Sequence, residues 1–172
     1  MKNIKLTLIT ATTILFASAF TVIQSVNWKI KEDYSVKFTG KKVDGIFKGL
    51  KADINFNESD LGKSKISASI DATTANTGSG MMNKHAKSED GLNAAKFPII
   101  NFESTSIAKT ASGFEAVGKL TLKGITKDIK FPFTFTNQTF NGKFTVAPKD
   151  YDVTRGGTPD EITIELNIPV TK

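Results

Sequence analysis

The stretch Asn83-Lys84-His85-Ala86-Lys87-Ser88-Glu89-Asp90 holds the side chains best suited to chemistry: the chain's one histidine, a hydroxyl three residues on, and two carboxylates beyond it. Serine, histidine and aspartate can make an acyl-transfer triad, but a triad is a spatial arrangement that nearness in sequence does not supply. One histidine with no cysteine and no second histidine is a poor metal site, so no metal ligand is assigned. There are no cysteines, which removes thiol catalysis, disulfides and thiolate metal centres. With no paired inward carboxylates either, the chain does not read as an enzyme, and no catalytic residue or cofactor is assigned. His85 keeps two roles: a structural hydrogen bond that orders this segment, or, with Lys84, contact with the polar head of a ligand. Arg155-Gly156-Gly157 reads as a turn with Arg155 near a rim, since its glycines lack the strand-to-helix context of a phosphate loop.

These residues sit in the one irregular connection of a chain that otherwise alternates. Trp28 and Ile30, then Val36 and Phe38, share a face, and Gly45-Ile46-Phe47-Lys48-Gly49 follows. Leu50, Ala52, Ile54 and Phe56 point one way and Lys51, Asp53 and Asn55 the other. Phe47 and Leu50 are out of phase for one period-two run, so Gly49 is expected to mark a bulge. After a turn at Asn57 to Lys63, Ile66, Ala68, Ile70 and Ala72 resume the pattern. Ser88 is expected to cap a short helix with Glu89 and Asp90 in its first turn. Pro98 returns Phe97 to extended geometry, and Ile100, Phe102, Ser104 and Ser106 form the next inward face. Phe114 to Leu122, Ile129 to Phe135, Phe140 to Val146 and Ile162 to Val170 repeat the rule.

Successive strands with one apolar face and short turns make an antiparallel meander. About eight of them suit an all-β, up-and-down barrel with one short helix or irregular segment; a sandwich is the structural alternative. The inward positions mix large side chains (Phe38, Phe47, Ile54, Ile70, Phe102, Leu120, Phe131, Phe133, Phe135 and Phe144) with small ones such as Ala52, Ala68 and Gly142. That mixture serves a tapering filled core or a lumen wall equally well. A lumen so lined has no inward charge in its strands, which disfavours a charged metabolite in its depth and suits a long hydrocarbon. An interaction domain with a filled core and no ligand is the competing reading.

The 172 residues have one composition throughout and suit a single domain. Lys2 and Lys5 precede an uncharged run from Leu6 to Ile23, and Ala17-Ser18-Ala19 offers a signal-peptidase site, so residues 1–19 are expected to be a signal peptide. The mature chain, 20–172, would then be periplasmic or secreted; an uncleaved anchor is the alternative. Removing both lysines lowers the formal charge from +6 to +4. The remaining lysines are spread along nearly every strand beside a single arginine, which argues against a nucleic-acid site. It is compatible with transient contact with a membrane surface and with a homodimer.

Ala68 to Gly78, Lys84 to Ser88, Leu92-Asn93-Ala94-Ala95-Lys96-Phe97-Pro98 with Phe102 and Ser104, and Gly118 to Lys127 together resemble the YceI-like, polyisoprenoid-binding family. The resemblance covers nearly all of the mature chain. It implies a lipocalin-like barrel that holds an isoprenoid, a polyprenyl chain or a quinone tail, and no catalysis. The chain departs from the family pattern at Asp90-Gly91-Leu92, at Lys123 and across Pro148 to Asp152, all at expected barrel ends. The face assignment is tested by Phe133→Glu. The expected result is an unfolded protein or a barrel without ligand, and a soluble, lipid-loaded variant would overturn the assignment.

Overall fold

A strand that is apolar at every second residue must hide one face, and a sheet that closes on itself hides it without leaving an edge. The computed structural model describes residues 26–172, so the expected signal peptide lies outside the described residues. The strands are β1 (Asn27–Ile30), β2 (Ser35–Gly40), β3 (Val43–Phe47), β4 (Lys51–Asn55), β5 (Lys65–Asp71), β6 (Ile99–Thr110), β7 (Gly113–Leu122), β8 (Ile125–Thr136), β9 (Thr139–Val146) and β10 (Ile162–Thr171), with one α-helix, α1 (Gly80–Lys87). These segments form eight staves. β1 and β2 lie end to end along β10, while β4 and β3 flank them on the other side. β1 closes the ring: Trp28 pairs with Ile54 of β4, and Ile30 with Val170 of β10. Every pairing is antiparallel between staves adjacent in sequence or across the closure, which makes the fold an up-and-down barrel and not the sandwich that alternation also allowed.

Three local expectations are corrected. Gly49 marks a break between β3 and β4 rather than a bulge in one strand. It adopts φ +70°, a conformation glycine tolerates without steric cost, and the excursion of Lys48 and Gly49 leaves both Phe47 and Leu50 facing inward. The freed backbone finds side-chain partners: Thr74 Oγ1 accepts from Lys48 N (2.9 Å) and Tyr34 Oη from Leu50 N (3.0 Å). In β6 the register shifts between Ser104 and Ser106, so Ser106 is exposed and Ile107 takes the inward place. Ser104 stays buried, its hydroxyl accepting from Ile66 N at 2.8 Å. The helix, finally, ends at Ser88 instead of starting there. Ser79 is its N-cap, accepting from Met82 N, and Ser88 caps the C-terminus through the His85 carbonyl.

The end of the barrel that holds the start of β1 is filled. Phe56, 1% exposed, stands among Phe114, Phe133, Phe135 and Phe140 with ring centroids 5.1 to 5.7 Å away, all edge-on. Each such pair contributes about 0.5–1.5 kcal/mol beyond area burial. Trp28 adds a ring against Phe135 at 5.1 Å, and its indole N–H donates to the Phe56 carbonyl at 2.9 Å, tying the plug to the closing strand. Phe56→Ala is therefore expected to cost about 3–5 kcal/mol, as a buried aromatic truncation does. Phe144→Ala, on the far side of the lumen, should cost less than half as much in the same denaturant titration, because Phe144 already borders a void.

Candidate functional site

Above the aromatic plug the lumen widens into a cavity of about 610 Å³, within the roughly 300–1,000 Å³ range of small-molecule sites. Its wall is built by strand alternation from the inward faces of β2 to β10. Phe38, Phe47, Ile54, Ile70, Phe102, Leu120, Phe131, Phe133 and Phe144 all border it, as do the small residues Ala52, Ala68 and Gly142 that leave the room. Phe131 stacks on Phe144 at 4.7 Å and meets Phe102 at 5.3 Å, while Phe38 and Phe47 pack at 5.0 Å. Phe133 and Phe140 belong to both wall and plug and form the floor. Phe135 does not border the cavity; it lies within the plug against Trp28, Phe56 and Phe140. The filled core and the cavity, alternatives in the sequence, thus occupy opposite halves of one barrel.

The mouth is at the other end, ringed by three connections: the β2–β3 hairpin, the β5–β6 segment that carries α1, and the β9–β10 loop. They are joined to one another. Ile46 of β3 exchanges both backbone hydrogen bonds with Asn76 (2.9 and 3.0 Å), which covers the outer edge of β3. The Asp90 carbonyl accepts from Thr154 N and Arg155 N, both at 3.0 Å, and the Asp90 carboxylate takes Nη1 of Arg155 at 3.1 and 2.9 Å. Gly91 is required at this junction, since a Cβ there would lie 2.6 Å from the carbonyl oxygens of His85 and Ala86. Lys123 Nζ donates to the Asp152 carbonyl at 2.6 Å from a nearly buried side chain. Of the positions that depart from the family pattern, Lys123 and Asp152 are thus joined to each other, and Asp90 to the β9–β10 loop at Thr154 and Arg155.

Of the two expected head-group residues, His85 borders the cavity at the mouth and Lys84 does not; Lys84 is exposed on the outer side of α1. The His85 ring makes no hydrogen bond among the described residues, so the structural bond expected of it is carried by its backbone carbonyl instead. Ser88 Oγ lies 2.6 Å from that carbonyl and 2.6 Å from Asp90 Oδ1, a helix-end cap that leaves the imidazole out of any relay. Arg155, expected near a rim, lines the mouth, as do Lys42, Met82 and Leu92, to which the sequence assigns no site role. They sit in connections that carry no periodicity, and the one available signal was that Arg155 is the chain's sole arginine.

Residues 13–170 match the family model described as YceI-like domain. The chain belongs to the YceI-like family. It is 31% identical over 137 residues to a UPF0312 protein of Ectopseudomonas mendocina, covering 73% of this chain and 72% of that one. With a UPF0312 protein of Yersinia enterocolitica it shares 29% over 136 residues, covering 73% and 71%. Among solved structures the barrel is similar to BcnA of Burkholderia cenocepacia, with a TM-score of 0.74 at 24% identity over 81% of this chain and 96% of that one. It is also similar to a polyisoprenoid binding domain from Saccharophagus degradans implicated in plant cell wall breakdown, with a TM-score of 0.60 at 13% identity over 82% and 95%. At these identities the solved structures speak for the fold of this YceI-like protein.

The Ser88 hydroxyl, and then the Arg155 guanidinium, hold the Asp90 carboxyl below its ordinary value of 3.8 against an opposing desolvation. Because folding depresses that value, the contribution of the cluster is complete above pH 3.8 and fades as pH falls through the depressed value. An NMR titration of Asp90 should show the depression, and Ser88→Ala and Arg155→Gln should each reverse part of it. A titration left unchanged by Ser88→Ala would mean that the hydroxyl does not act on the carboxylate.

Proposed function

We propose that this protein is an exported carrier that holds the hydrocarbon chain of an isoprenoid lipid, polyprenyl or quinone-like, inside its barrel for storage, transport or sensing. The observation that carries the reading is the shape and chemistry of the lumen: a deep apolar cavity, floored by Phe133 and Phe140 and open at one end, with no acidic residue among the described residues on its wall. A charged metabolite would lose its hydration there without compensation. A branched hydrocarbon gains about 0.8 kcal/mol for each methylene removed from water, so even a few isoprene units suffice for tight binding. The polyisoprenoid-binding description of the Saccharophagus degradans domain supports the same class of ligand. Export is supported by Lys2, Lys5 and the Ala17-Ser18-Ala19 site, and the lipid enters from the mouth, where only loops and α1 stand in its way.

Native mass spectrometry of the protein expressed with its N-terminal segment and recovered from the exported fraction tests this reading. The expected species is a chain beginning at Phe20 with one discrete lipid bound. A bare mature mass that persists after isoprenoid is added under gentle conditions would overturn the carrier reading in favour of an interaction domain.

A further inference from the structure

The ring of staves is fully paired around the plug but not toward the mouth. β8 pairs with β7 from Ile125 to Phe133, yet with β9 only at Thr136–Thr139, Phe135–Phe140, Thr134–Asn141 and Phe133–Gly142. The cause lies in the sequence. A two-residue turn at Asn137 and Gln138 makes Thr136 and Thr139 a hydrogen-bonded pair, and such pairs recur at every second residue. Thr134 with Asn141 is the next, and Pro132 with Lys143 would follow; proline brings no N–H, and the ladder stops there. From that point β8 bonds only to β7, and β9, from Lys143 to Val146, only to β10. The side chains register the parting. Lys127 shares the inward phase of Ile129 and Phe131 yet is exposed, and Phe144 and Val146 are only half-buried. The directional contacts across this seam, among the described residues, are the Phe131–Phe144 stack at 4.7 Å and, at the mouth, the 2.6 Å bond from Lys123 Nζ of the β7–β8 hairpin to the Asp152 carbonyl.

The opposite seam, where β3 leaves β4, is built differently. Ile46 exchanges two backbone hydrogen bonds with Asn76, Thr74 Oγ1 bonds both the N–H and the carbonyl of Lys48 at 2.9 and 2.8 Å, and Tyr34 Oη takes the Leu50 N–H. A Cβ on Gly45 would lie 2.5 Å from the Asn76 oxygen, so the segment before α1 fits closely over that edge. Above the plug the barrel therefore has one bonded seam and one open one. Building on the carrier reading, we propose that the β8–β9 seam is a gate. The β9 edge draws away from β8 about the last bonded rung, Phe133–Gly142, the Phe131–Phe144 stack parts, and the mouth widens down the side of the barrel to pass the ligand. No ladder hydrogen bond between the two strands has to break for this, whereas parting any fully paired neighbours would break several. Lys123 is the latch across the top. The pivot is also the thinnest part of the wall: Phe133, Gly142 and Leu166 border both the lumen and a groove of about 650 Å³ on the outer face. A Cβ on Gly142 would meet Leu166, Pro132 and Phe131 no closer than 3.5 Å, so the backbone there has room to turn.

The chain has no cysteine, so a reducible bis-maleimide can join one engineered pair at a time in the full mature protein. Lys130→Cys with Thr145→Cys spans the seam at two exposed positions, one rung beyond Pro132 and Lys143. Thr134→Cys with Asn141→Cys spans the bonded part of the same two strands and serves as the control. Release of a dansyl-labelled isoprenoid alcohol into excess phosphatidylcholine vesicles is followed by stopped flow. The seam bridge is expected to slow release by about tenfold or more with Kd unchanged, its reduction to restore the rate, and the control bridge to change neither. Lys123→Met should speed release. Pro132→Thr, which returns the missing N–H, should slow it and add a protected amide at position 132. Equal release with and without the seam bridge overturns the gate and leaves the carrier reading in place. A bridge that weakens affinity without slowing release reports damage to the wall and overturns the gate as well. Failure of the unbridged protein to bind the probe overturns both readings.

Discussion

The barrel depends on one short strand bonding on both sides. β1 is four residues long, yet it completes the ladder by pairing with β4 and with β10, and its Trp28 carries the closure inward by donating to the Phe56 carbonyl. An open eight-stave sheet would present an unpaired edge and an exposed apolar face at once. Closure removes both, and it also fixes the lumen at a width that side chains from opposite walls can nearly span.

Nearly spanning is what divides the interior. Where five phenylalanines and Trp28 converge, the rings meet edge to face and no room is left. Where Ala52, Ala68 and Gly142 alternate with the larger residues, the opposite walls no longer touch and the cavity results. The same alternation of inward residues therefore yields a rigid plug at one end and an open cavity at the other, and the plug holds the staves apart beside it. Close packing of this kind has low compressibility, so the plug resists being squeezed by the staves around it.

At the mouth the balance of forces differs. No strand ladder closes it; short backbone bridges at Asn76 and Asp90, the Asp90–Arg155 pair and the Lys123 contact with Asp152 hold three connections together. Exposed ion pairs of this type contribute little to stability. Their weight lies in where they put side chains: the pair sets Arg155 against the cavity, and the turn that carries Ser88 and Gly91 leaves the His85 ring free on the same border. A polar rim over an apolar well gives one end of a ligand a different environment from the other, and such a difference orients it.

Alternation narrowed the fold to an antiparallel barrel of about eight staves or a sandwich and assigned nearly every wall residue, because a period of two admits only one assignment of faces once a single face must be buried. It failed where the period was interrupted. The shift at Ser104 to Ser106 and the excursion at Gly49 depend on backbone conformations that side-chain pattern does not encode, and Ser88 reads as a helix start or a helix end until Ser79 is seen to hold the first turn. Phe135 and Phe144 look alike in sequence, but one is in the plug and the other on the wall, since depth along the barrel is set by register across staves far apart in the chain. The rim was legible only in part: His85 and Arg155 were expected at a mouth, while Lys42 was not and Lys84 lies outside it. Lys42, His85 and Arg155 are separated by tens of residues in segments without periodicity, and only closure of the barrel brings those segments to one mouth.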